Sequence, residues 1–229
     1  RIAELESRSM LKRSSCCRLL LIVGSSIAQL QVELCGTIAS DLVLSANTTY
    51  ILGCQTFVKN GATLFIEAGT TIFANRHVRS GTGLEPRSHT TLLIIERGGK
   101  IMAQGTEAAP ITFTASPTLP IEEEALHGKW GGLALLGKAP TTFGATNMIE
   151  DLHLAYGGSD PLDNSGVLRY VRVWHGGAAI AQDNKISGIT FAGVGRGTTV
   201  EHCEVAFNAA DGFEFFGGTI NVKYLSVLF

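Results

Sequence analysis

The stretch ISGITFAGVGRGTTVEHCEVAFNAADGFEFFGGTINVKYLSV, residues 186–227, carries one pattern twice. VEHCEV (200–205) follows Gly197-Thr198, and VKYLSV (222–227) follows Gly218-Thr219, 22 residues later. Each copy is a short alternation of apolar and polar residues opened by a Gly-Thr turn. One such segment cannot bury its apolar side alone, but stacked copies can. A period near 20 predicts a β-solenoid rather than a helical repeat.

The preceding chain reads as earlier coils of the same stack. In 54–76, Phe57-Val58 leads to an Asn60-Gly61 turn, Leu64-Phe65-Ile66 to a turn at Ala68-Gly69, and Thr71-Ile72-Phe73 follows. Short strands between such corners fit a chain that bends around a coil. Further strands are predicted at Leu92–Glu96, Lys100–Ala103, Ile111–Ala115, around Trp130–Gly137 and over 168–177. Three polar or irregular stretches, near 77–91, 117–129 and 138–166, read as loop insertions. Phe229 still lies in strand-like sequence, and a solenoid needs a cap, so a piece of a longer chain is expected.

The chain has 229 residues, 27 of them glycine, with 17% charged residues and a net charge of -2. Heavy glycine with few charges suits tight turns and argues against a charged coiled coil or disorder. No basic surface argues for nucleic acid. Lys12 and Arg13, an apolar run at 19–27 and a small-x-small site ending at Ala28 predict a cleaved secretory leader over 1–28. The β-helix domain is then 29–229, and the apolar run is too short to leave a comfortable membrane span in the mature chain. Cys16 and Cys17 would leave with the leader. Cys35 and Cys54, 19 residues or about one coil apart, either bond in an oxidising compartment or stand as two thiols. Cys203 reads as a small buried residue. Asn47-Thr48-Thr49 is a glycosylation sequon, of consequence only where the source cell glycosylates, and such a tripeptide often arises by chance.

Six longer stretches carry a resemblance: GATLFIEAGTTIF (61–73), LLIIERGGKIMAQGTEAAPITFTAS (92–116), KWGGLALLGKAP (129–140), YGGSDPLDNSGVLRYVRV (156–173), ISGITFAGVGRGTTVEHCEV (186–205) and DGFEFFGGTINVKYL (211–225). In order, they resemble a family of secreted bacterial surface and lipoprotein-like proteins of the pectin-lyase-like superfamily. The resemblance covers most of 36–229. It implies an all-β fold, a right-handed parallel β-helix or single-stranded β-solenoid with three short sheets per turn. It implies no reaction, because this fold hosts lyases, hydrolases, adhesins and tailspikes alike. The chain departs from the family pattern at Ala210-Asp211, where relatives carry paired acids, and lacks a convincing lipid-attachment cysteine.

Three constellations are candidates for chemistry. Asp211 with Glu201 or Glu204 on a neighbouring coil is a candidate carboxylate pair of the kind inverting glycosidases hold roughly 6.5–9.5 Å apart; Arg172 or Lys185 is the candidate base of a lyase. The competing reading has Asp211 capping a glycine turn and Phe213, Phe215 and Phe216 partly inside. Second, alternation along LRYVRV places Leu168, Tyr170, Arg172 and Trp174 on one face and Arg169, Val171 and Val173 on the other. The valines suit the interior, so Tyr170, Arg172 and Trp174, with Lys185 nearby, are expected to form an outward sugar-stacking row; His175 and Asp183 flank them. Third, Asp160, Asp163 and Asn164 offer oxygens for Ca²⁺ in a Gly-rich loop, or simply serve its turns. The expected function is a secreted or cell-surface binding or structural module with polysaccharide as ligand. The alternative is a polysaccharide lyase or glycoside hydrolase.

Overall fold

The computed structural model describes residues 17–21, 30–75, 90–117, 126–142, 144, 146–149, 152–181 and 184–229. The chain winds as a right-handed parallel β-helix with three faces. Sheet I stacks 36–38, 56–58, 93–95, 133–136, 189–192 and 213–216. Sheet II stacks 42–44, 63–66, 100–104, 166–169, 199–201 and 221–223. Sheet III stacks 31–34, 49–52, 71–74, 111–115, 171–174, 204–206 and 226–228. Strands Thr49–Val58 and Thr199–Ala206 run through a corner and belong to two faces each. The two copies read from the sequence sit in register, Val200 on Val222 and Val205 on Val227.

Alternation along each strand sends one side chain in and the next out. Inward rows such as Leu34–Leu52, Leu64–Ile101 and Ile72–Phe113–Val173–Val205 form one continuous apolar column. Phe191 lies inside it and Phe213 packs against it; Phe215, 45% exposed, stacks on Phe191 at 5.2 Å, and Phe216 turns outward and meets Tyr156 at 6.0 Å. At the first coils a disulfide joins Cys35 and Cys54. Closing a loop of this length stabilises the fold by about 3 kcal/mol in the chain-entropy account.

The segment Cys17–Leu21 pairs antiparallel with 30–34. The leader's cleavage point at Ala28 lies outside the described residues. So do most of the insertions near 77–91 and 117–129, and Asp183. The insertion at 138–166 is not irregular throughout: Asn147–Ile149 and Leu154–Tyr156 pair as a hairpin, and Ala179–Ala181 pairs with Asn184–Lys185 as a second one. Leu152, Leu154, Tyr156, Ile180 and Ile186 from these two regions pack on Ile94, Ala134, Leu136 and Ala192. The outer face of sheet I is therefore a second apolar core in its middle coils, closed to solvent. Among the described residues no helix is long and apolar enough to cross a membrane.

Candidate functional site

The corner between sheets II and III narrows to a single residue in the last three coils, and that residue is aromatic each time. Tyr170, His202 and Tyr224 have φ of 48°, 53° and 55°. Side chains with a Cβ rarely adopt this left-handed conformation, and it costs about 1 kcal/mol or more. Stacking offsets that cost. Tyr170 lies 4.5 Å from His202, and His202 lies 4.5 Å from Tyr224, with near-parallel rings. Such pairs contribute about 0.5–1.5 kcal/mol each beyond area burial. A shorter ladder follows sheet III, where His175 (φ 62°) stacks on Phe207 (φ 54°) at 5.2 Å.

Tyr170 at the corner changes what the strand presents. Simple alternation through LRYVRV fails there, because a left-handed residue resets the facing. Leu168 is consequently fully buried, not outward, and Arg169 points out to pair with Glu201 at 2.6 Å. Tyr170, Arg172 and Trp174 lie outside the core. They do not form a row of open ring faces, however: His202 is covered on both faces, Tyr170 is covered on one, and the Arg172 guanidinium sits 5.7 Å over the Trp174 ring. His202 therefore shows solvent its edge, while Tyr224, stacked on one face only, is 68% exposed.

Beside the ladder runs a groove of about 440 Å³. Its floor is the outward row Arg172–Glu204–Ser226 of sheet III, and Glu107 and Pro110 stand at one end. In that coil the corner is a loop, Gly105–Pro110, tied by paired Thr106–Ala109 backbone bonds and by Gly69 N–H to the Ala109 carbonyl. Trp174 Nε1–H donates to Glu204 Oε1 at 2.7 Å, and Arg172 Nε lies 4.0 Å from the same oxygen. A half-exposed pair at that distance is worth under about 1 kcal/mol, so Arg172 is free to turn to a ligand. Cys203 also borders the groove. Its thiol is buried, pushed up to about 12 by that burial, and remains a neutral S–H.

The proposed catalytic set is dispersed. Glu201 stands on sheet II against Arg169, Arg172 on sheet III, and Asp211 is exposed in the turn before the last strand of sheet I. Three faces of a prism cannot converge on one bond, so this set does not act together. The acid that does gather polar partners on sheet I is Glu214, which accepts Ser187 Oγ–H at 3.0 Å and Thr190 Oγ1–H at 3.4 Å. Lys185 is outside the groove and donates to the Ala209 carbonyl. His175 Nδ1–H donates to the Leu126 carbonyl at 2.7 Å.

The oxygens of the suggested calcium loop serve its turns. Asp160 Oδ1 accepts Leu162 N–H, and Asn164 Oδ1 accepts Gly166 N–H. Asp163 is buried, accepts Gly195 N–H, and lies where Gly137 has no side chain. Among the described residues no group of three His, Cys, Asp or Glu is placed to hold a metal.

Burial raises the Asp163 carboxyl above its ordinary range, opposed by the Lys138 and Gly195 N–H groups. A raised acid binds its proton more tightly folded than unfolded, so this contribution to stability is present below the unfolded value and lost as pH rises through the folded one. Asp163→Asn keeps an acceptor without the charge. Its melting temperature relative to the unaltered chain should be highest at neutral pH and should fall on acidification; a constant difference across that window would refute the linkage.

A family model described as pectate-lyase like beta helix domain matches residues 36–229. The chain belongs to this family. The match covers every coil from the first strand of sheet I onward, in agreement with the three-sheet prism. Comparison with curated proteins finds no match, and comparison with solved structures finds none. For this pectate-lyase-like β-helix, activity is therefore to be argued from its own groove. The ladder escaped the sequence reading, although aligning RYVR (169–172), EHCE (201–204) and KYLS (223–226) exposes a recurrent charged–aromatic–apolar–polar unit. Glu107 and Pro110 carried no comparable signal.

Proposed function

We propose that this chain is an extracellular or cell-surface β-helix module that binds a polysaccharide along the groove beside the Tyr170–His202–Tyr224 ladder. The groove carries the reading: its tyrosines, Arg172, Glu204, Glu107 and Ser226 supply donors and acceptors at the coil spacing, which suits a hydroxyl-rich chain. The Cys35–Cys54 bond and the basic-then-apolar N-terminal segment support an oxidising, exported location. The dispersal of Asp211, Glu201 and Arg172 favours binding over hydrolysis or elimination.

The test is retention of the full chain on immobilised neutral and acidic polysaccharides. One of them should retain it, and Arg172→Ala should weaken retention by about tenfold, the equivalent of ~1.4 kcal/mol. Lys185→Ala, outside the groove, should not. No retention on any polysaccharide, or retention indifferent to Arg172→Ala, would sink the proposal. New reducing ends or unsaturated sugars in the eluate would replace it with a catalytic one.

A further inference from the structure

We infer that Asn47 is an acceptor for an N-linked oligosaccharide. Asn47-Thr48-Thr49 forms the acceptor tripeptide. The structure places it at the tip of an exposed turn, closed by Thr48 N–H to the Ser45 carbonyl, in the first coil's corner between sheets II and III. The orientation of the amide is the informative point. Ser45 Oγ–H donates to Asn47 Oδ1 at 2.8 Å and Thr48 Oγ1–H approaches the same oxygen at 3.5 Å, while no described residue bonds its Nδ2. The turn thus holds the carbonyl end and leaves the nucleophilic nitrogen toward solvent.

A separate observation fixes the chemical setting. The disulfide between Cys35 and Cys54 closes a loop that contains Asn47, and such bonds persist in oxidising, exported compartments. Oligosaccharide transfer to asparagine belongs to exported chains as well. In the transfer, Asn47 Nδ2 forms a bond to the anomeric carbon of a lipid-pyrophosphate-linked oligosaccharide. The anomeric C–O bond breaks, the lipid pyrophosphate leaves with the electron pair, and the amide gives up one proton. The groove begins two coils further along the same corner, at Glu107 and Pro110, with the 67–70 turn in between.

The full chain, with its own N-terminal segment, is secreted from a cell line that performs N-glycosylation and then treated with peptide N-glycosidase. The expected result is a loss of mass on treatment and conversion of residue 47 to Asp in the released peptide. Asn47→Gln and Thr49→Val should abolish the shift, and Thr49→Ser, which keeps the hydroxyl, should restore it in part. Secreted, disulfide-bonded chain without a shift overturns the inference. A shift that survives Asn47→Gln overturns it too, by placing the glycan elsewhere.

Discussion

Gly166→Ala should abolish the native fold or lower its stability by several kcal/mol, the largest loss expected for a Gly→Ala change among the described residues. Gly166 opens the sheet II strand of the fourth coil, directly over Ile101, with φ of 112°. A Cβ there would overlap the Ile101 carbonyl oxygen, a backbone atom held in the parallel ladder that cannot swing aside. The conformation alone costs a residue with a side chain about 1–3 kcal/mol. Forced overlap in a packed interior typically adds about 1–3 kcal/mol. Against a total near 5–15 kcal/mol, that sum removes much of the margin. Gly61→Ala separates the two effects: its φ is 84°, but nothing lies within 4 Å of the added carbon. Denaturant unfolding should show a loss near 1 kcal/mol for Gly61→Ala and several times that for Gly166→Ala. Equal losses would mean that the Ile101 contact contributes nothing.

The same residue shows how far sequence reaches. A Gly before Val167 is legible as a turn, yet what forbids a side chain there is a carbonyl 65 positions earlier in the chain, known only once the coils are stacked. Register was legible because VEHCEV and VKYLSV repeat their own alternation, and the structure pairs them residue for residue. Alternation failed where the chain turns: through Tyr170 it put Leu168 outside and Arg169 inside, and the left-handed corner reverses both. Composition offers no warning of such a corner, since glycine or asparagine is the usual occupant and here aromatic rings replace them. The carboxylate set failed for a related reason. Asp211 and Glu201 are ten positions apart, close in sequence, but a coil turns two corners over that distance. Loop 138–166 looked structureless because its apolar residues pack on the outside of sheet I, and a short hairpin has no period to read.

Trp130→Ala should cost about 3–5 kcal/mol, as for other large buried aromatics, and should reach the groove as well. Trp130 is 1% exposed, stacks with Phe113 at 6.4 Å and is the largest side chain in the column. It closes the corner by which the chain re-enters sheet I in the fourth coil, and its Nε1–H donates to the Trp174 carbonyl at 2.8 Å. Trp174 in turn donates its own Nε1–H to Glu204 on the groove floor. The two tryptophans are thus coupled, one buried and one half-exposed, and they are the only two in the chain. Trp130→Phe fills most of the volume but leaves the Trp174 carbonyl without that donor, a loss of about 1 kcal/mol. Fluorescence resolves the pair: in Trp130→Phe all emission comes from Trp174 and should be red-shifted relative to the unaltered chain. Titrating the retained polysaccharide into Trp130→Phe should then quench or shift Trp174 emission, because a ligand that takes Arg172 from above its ring changes the indole's surroundings. An emission spectrum indifferent to saturating polysaccharide would separate the ligand from the Arg172–Glu204 floor and move binding to another face of the prism.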